Sequence, residues 1–228
     1  IQKKQGPDWK IWVGSLALTD NSFSYKVQEE DTIETGIDFN NLVITSLNTN
    51  ISNITIIGDS IIADISSLSC REKSGFVLNK FSALSVVSAS GIKAYNLHII
   101  TPNTKLSANI QFSYKDFSGF NDFINDVNIH AIFRPSRFDL SDLAYFAPSL
   151  KGMDEKINFA GELKGKVSNI KGKNFKFLYG KSTYFLGNFN VSGLPDIDGT
   201  YIHFNIKDFL TCQQDIASFK YISQNQVQ

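Results

Sequence analysis

The chain reads as an all-β protein: one wide antiparallel sheet of long strands with a single apolar face. Three observations predict it. The first is Lys156–Val167 (KINFAGELKGKV), where Ile157, Phe159, Gly161, Leu163, Gly165 and Val167 alternate with Lys156, Asn158, Ala160, Glu162, Lys164 and Lys166. Side chains on a strand point to opposite faces with a period of 2, so this run is apolar on one side and charged on the other. At ~3.3 Å per residue it spans ~36 Å, long against the usual strand of about 5–6 residues. The second is the return of the pattern, at Leu106–Tyr114 (Leu106, Ala108, Ile110, Phe112 and Tyr114) and at Ile202, Phe204 and Ile206. The third is that strand follows strand without the alternating helices of βαβ units, which makes the sheet antiparallel and meandering.

Composition sets the outer limits. The 228 residues are 42% hydrophobic and 19% charged, neither disordered nor membrane-spanning by composition. They are read as a single segment over 1–228 with no internal domain boundary. Nineteen Phe and eight Tyr suit strands. Basic and acidic residues balance at 22 each, without the basic excess of a nucleic-acid module, so no nucleic acid is expected as a partner. No run of 18 apolar residues is present, so no helix of this chain is expected to cross a bilayer. The start, IQKKQGPDWK, is polar and does not read as a signal peptide. Ile1 in place of Met suggests an internal slice of a longer protein, with any anchor outside it.

Taken in order, Trp9–Leu18 reads as a first strand, Thr19-Asp20-Asn21 as a turn and Ser22–Val27 as its return. Gln28–Gly36 is a loop. Ile37–Ile57 is extended with a bend at Asn48–Asn53. Asp59–Ser67, Phe76–Ile92 and Ala94–Thr101 are further strands, and Thr101-Pro102-Asn103-Thr104 interrupts the ladder. Asp116–Asp126 places Phe117, Phe120, Phe123 and Ile124 at helical spacing. Val127–Phe133 is a strand. Asp139–Leu150 is the best helix candidate, with Ser141 as cap and Pro148 as its end. The run from Lys156 continues through Asn169–Gly172 into Phe175–Tyr179. Thr183–Gly193 and Thr200–Leu210 close the chain, separated by the turn Pro195–Gly199. The total is roughly a dozen strands.

No constellation of catalytic residues emerges, and the chain is not expected to be an enzyme. His98, His130 and His203 each stand alone on a strand, with no metal-ligand spacing. Cys70 and Cys212 form no CxxC pair; two separate side chains are the simpler reading, with a disulfide left open. Gly161-Glu162-Leu163-Lys164-Gly165 lacks the phosphate-loop pattern, and its glycines suit twist, a bulge or close approach. No catalytic residue, metal site or cofactor is assigned. The apolar face carries the interest: it is either the core of a closed β-sandwich or an exposed surface that meets a partner or lipid.

Several segments recur as a set: Trp9–Tyr25, Leu68–Phe76 with its EKSGF turn, Asn96–Pro102, Leu140–Leu150 with DLAYFAP, Gly161–Ile170 and Thr183–Pro195. In that order they resemble the middle region of the TamB-like translocation and assembly module proteins of the AsmA-like group, in the form found in Bacteroidota. The resemblance covers roughly Trp9 to Leu210. It implies an elongated, twisted antiparallel sheet curled into a taco-like open groove, with one or two short helices. It also implies a periplasmic segment of an envelope-biogenesis protein, anchored to the inner membrane through a part missing from this chain. The groove would conduct phospholipid between the inner and outer membranes or support outer-membrane protein assembly, meeting an outer-membrane barrel partner through absent regions. Phospholipid acyl chains are the expected ligand. Leu106, Ile110, Phe112, Ile157, Phe159, Leu163, Val167, Ile202, Phe204 and Ile206 are the expected lipid-binding groove residues, since each holds the apolar phase of an alternating run. The other reading is a closed β-sandwich, a structural or adhesin-like interaction module.

Overall fold

A computed structural model describes residues 9–28, 33, 35–146, 151–152, 154–196 and 199–218. Eleven strands form one antiparallel sheet in strict sequence order, β1 to β11, an open meander. They are β1 (Lys10–Lys26), β2 (Asn41–Ile57), β3 (Ser60–Glu72), β4 (Val77–Ser88), β5 (Gly91–Ile100), β6 (Lys105–Ser113), β7 (Asn128–Asp139), β8 (Lys156–Lys166), β9 (Asn169–Tyr179), β10 (Thr183–Ser192) and β11 (Tyr201–Leu210). Among the described residues no second sheet covers either face, so the closed sandwich is not formed, and the sheet stays a single curled layer.

Helical structure among the described residues is short and lies in two connections and after the last strand. A 3₁₀ turn over Phe117–Asp122 runs into α1 (Phe123–Asp126) between β6 and β7, where the Phe spacing predicted a helix. The expected helix over Asp139–Leu150 is shorter than predicted: a 3₁₀ turn covers Leu140–Tyr145, while 147–150, Pro148 included, lie outside the described residues. Its cap is Asp139, not Ser141: the Asp139 carboxylate accepts from the Ser141 N–H at 3.0 Å. A carboxylate takes this role well because it meets the unpaired amides of the first turn. After β11, α2 (Gln213–Ser218) follows.

The turn chemistry at Thr19-Asp20-Asn21 makes a bulge inside β1, not a reversal. Register against β2 slips between Leu18 and Asn21, and Asp20 adopts φ 52°. The device recurs. Asn96 in β5 (φ 50°) and Asn174 in β9 (φ 46°) also sit at register slips. Short polar side chains tolerate this left-handed backbone best. A bulge also takes a backbone N–H out of the ladder. In all three, a neighbouring strand's asparagine supplies the missing acceptor. Asn48 Oδ1 accepts from Asp20 N at 3.0 Å, Asn109 Oδ1 from Asn96 N at 2.8 Å, and Asn188 Oδ1 from Asn174 N at 2.8 Å. Bulges bend a strand and increase its right-handed twist. Three of them, spread from the first strand to the ninth, curl the sheet about its length. Two boundaries also differ from expectation: the turn between β4 and β5 falls at residues 89–90, and Val167-Ser168 separates β8 from β9.

The turns at one end of the strands carry polar anchors. Thr101 Oγ1 donates to the buried Asp142 at 2.6 Å and accepts from Thr104 N at 2.8 Å, and Thr104 Oγ1 accepts from Asp139 N at 3.1 Å. This ties the Pro102 turn to the 3₁₀ turn that follows β7. Beside it, Glu72 caps the β3–β4 turn. Burial pushes its carboxyl up, but hydrogen bonds from Ser74, Val43 and Lys73 outweigh that and hold it below its ordinary range. Beyond β11, Asp215 gathers the β9–β10 turn, accepting from Lys181 N, Ser182 N and Thr183 N at 2.8–2.9 Å. The Lys181 and Ser182 amides hold its carboxyl far below the ordinary range.

Candidate functional site: the apolar face

Residues directly opposite one another on antiparallel strands share a face. The register therefore traces rows across the whole sheet. One runs Ile11–Ile56–Ile61–Val87–Ile92–Phe112–Ile129–Gly165–Ile170–Val191–Ile202, through all eleven strands without a polar residue. A second runs Ala94–Ile110–Ala131–Leu163–Gly172–Phe189–Phe204 from β5 to β11.

These rows place the predicted residues. Ile110 and Leu163 both face Ala131, and Phe112 faces Ile92 and Ile129. Leu106 faces Ile99. Ile157 and Phe159 face Phe138 and Ser136 on β7, and Tyr179 and Phe177 on β9. Ile202, Phe204 and Ile206 face Val191, Phe189 and Gly187. Nine of the ten lie on one face; Val167 does not join them as a strand residue, because β8 ends at Lys166 and Val167 begins the turn to β9. The reversal there is enforced at Gly165. Its φ of 127° is foreign to L residues, and a Cβ would stand 2.3 Å from the Asn169 carbonyl oxygen.

The face has a floor that the alternation of single strands does not reveal. Phe133, Phe159, Phe175, Phe189 and Phe204 form a chain of ring contacts from β7 to β11, with centroids 5.0, 5.8, 5.1 and 6.5 Å apart, and Phe185 joins Phe204 at 5.4 Å. Edge-to-face and offset-stacked rings at such spacings attract beyond their buried area. Glycine makes room for them: a Cβ on Gly172 would lie 2.2 Å from the Phe189 ring. Of these rings, only Phe159 and Phe204 were singled out from the sequence. The signal for the rest was present, since Phe133, Phe175, Phe185 and Phe189 hold the same strand phase, but their convergence needs the register. At one end of the face, Phe123 of α1 packs edge-on against Phe112 at 5.6 Å. At the opposite end of the strands, Phe76 meets Tyr145 and Phe146 at 5.4 and 5.3 Å.

The arrangement offers contact area, not chemistry. Among the described residues no group of His, Cys, Asp or Glu could hold a metal ion, and no helix is long and apolar enough to cross a membrane. Cys70 and Cys212 are free thiols, which resolves the open pairing. Burial first, and then the Glu72 carboxylate, raise the Cys70 pKa and keep it protonated. His130 pairs with Glu162 on the opposite face at 2.9 Å. No family model, curated protein or solved structure matches the chain.

Proposed function

We propose that this chain is a segment of a periplasmic envelope-biogenesis conduit, anchored elsewhere, whose apolar face carries phospholipid acyl chains between two membranes. The observation that supports this most is the unbroken apolar row from Ile11 to Ile202 on a single-layer sheet with no second layer over it among the described residues. Large contiguous apolar surfaces usually mark a partner or lipid. The TamB-like resemblance read from the sequence motifs points the same way and assigns assembly of outer-membrane proteins to the same segment. Acyl chains suit such a surface because their burial is non-directional, ~0.8 kcal/mol per methylene, and needs no hydrogen-bond partner.

The test places one carboxylate on each face of β8 in the full-length protein. Leu163→Asp puts a charge in the apolar row, where desolvating it costs several kcal/mol. Asn158→Asp puts the same group on the solvent-facing side. Leu163→Asp should lose co-purifying phospholipid, measured by mass spectrometry, and weaken the outer-membrane barrier in cells, while Asn158→Asp keeps both. Equal lipid and barrier function in the two variants would refute the reading and favour a structural or adhesin-like module.

A further inference from the structure

The opposite face carries a second feature that the lipid reading does not use. The four strands β8–β11 hold seven lysines against one Glu and one Asp, although the whole chain is neutral. On that face one row reads His130–Lys164–Lys171–Asn190–His203. Lys164 and Lys171 stand directly opposite each other with no acid in the row, and like charges so placed repel. The Glu162 carboxylate stands directly opposite Lys173 in register and pairs with His130 at 2.9 Å. Lys164, Lys171 and Lys173 have no ion-pair partner among the described residues. Together with the Glu162 carboxylate and His203, these side chains line a depression of about 530 Å³ that also touches Gly172 and Phe189, with Asn188, Asn190 and Asn205 around it. Within it the Asn190 Oδ1 is buried and lacks a hydrogen-bond partner.

We propose that this depression binds a phosphate ester carrying free hydroxyls. The lysines supply positive charge to the phosphate, and lysine serves phosphate as a point charge without fixed geometry. The unpartnered Asn190 Oδ1 accepts from a ligand hydroxyl. The volume is that of a small-molecule site. Binding would relieve the Lys164–Lys171 repulsion, which gives the juxtaposition a function.

The chemistry occurs in a soluble ester and in a lipid headgroup, and two probes separate them. Glycerol 3-phosphate is titrated while the His130 and His203 ring signals are followed by NMR. In parallel, the chain is floated with phosphatidylglycerol vesicles and with phosphatidylcholine vesicles. Lys164→Gln/Lys171→Gln removes the site, and Lys93→Gln/Lys105→Gln removes the same charge from β5 and β6. The expected result is binding of at least one phosphate probe, weakened tenfold or more by the first pair and less than twofold by the second. Response to glycerol 3-phosphate alone assigns a soluble ester, and flotation with phosphatidylglycerol alone assigns a headgroup; both support the site. Silence toward both probes, or equal weakening by the two double variants, overturns it. Because the depression lies on the face opposite the apolar rows, lipid loss in Leu163→Asp leaves this result unaffected.

Discussion

The middle of the sheet and its last strand obey the same alternation yet sit in different surroundings. Ala108 and Ala131, in the apolar phase of β6 and β7, are 0% and 1% exposed. Ile202, Phe204 and Ile206, in the same phase of β11, are 47%, 51% and 54% exposed. Without a second layer, shielding comes only from neighbouring strands, from the helical connections and from the curl that the bulges impose. A central residue has strands on both sides; an edge residue has one. Phase decides which face a side chain takes, and position across the sheet decides how dry it is.

The largest effect that sharpens this contrast is expected at the centre. Ala108→Asp buries a carboxylate with no cation opposite it and should cost several kcal/mol. Denaturant unfolding would show the midpoint collapse, while the same change at Ile206 on β11 should be far milder because water reaches it.

The curl itself can be attacked next. Asn109→Ala removes the acceptor of the Asn96 bulge amide. The loss should be about 1 kcal/mol, as for one hydrogen bond at a partly solvated site. Amide exchange at Asn96 should accelerate while the β8–β9 amides stay protected.

Near the far edge, Asp215→Asn should free the β9–β10 turn. The pH dependence follows from the sign of its shift. The folded carboxyl titrates below its unfolded value, so its contribution is complete above the ordinary carboxylate range and fades as pH falls below about 4. Exchange at Lys181, Ser182 and Thr183 should rise across that acidic window in the natural chain and be fast at every pH in the variant.

The smallest effect is expected at Phe204→Ala. Half of that ring is already in water, so no more than about 1 kcal/mol of stability should be lost, roughly half the value of a fully buried aromatic. A loss comparable to that of Ala108→Asp would mean that the edge is as enclosed as the centre.

These contrasts also mark what was legible in the sequence. The period-2 runs at Leu106–Tyr114 and Lys156–Val167 identified strands and their apolar phase, because alternation is a local property of the chain. Antiparallel order followed from the absence of helical crossovers. The Asp20 segment misled because a left-handed Asp has the same composition in a hairpin turn and in a bulge; only the cross-strand Asn48 acceptor distinguishes them. The aromatic chain from Phe133 to Phe204 and the Lys164–Lys171 juxtaposition were illegible for a related reason. Both depend on register between strands, which slips in every strand pair and which no single strand encodes.

The central claim is that the apolar phase, and only that phase, meets acyl chains. The most direct measurement places a photo-crosslinking amino acid at Ile110 and Leu163, and at Asn109 and Asn158 on the opposite face of the same strands, in the full-length protein in cells. Adducts with phospholipid should form at Ile110 and Leu163 and be absent at Asn109 and Asn158. Adducts of equal yield on both faces, or none at either apolar position, would contradict it.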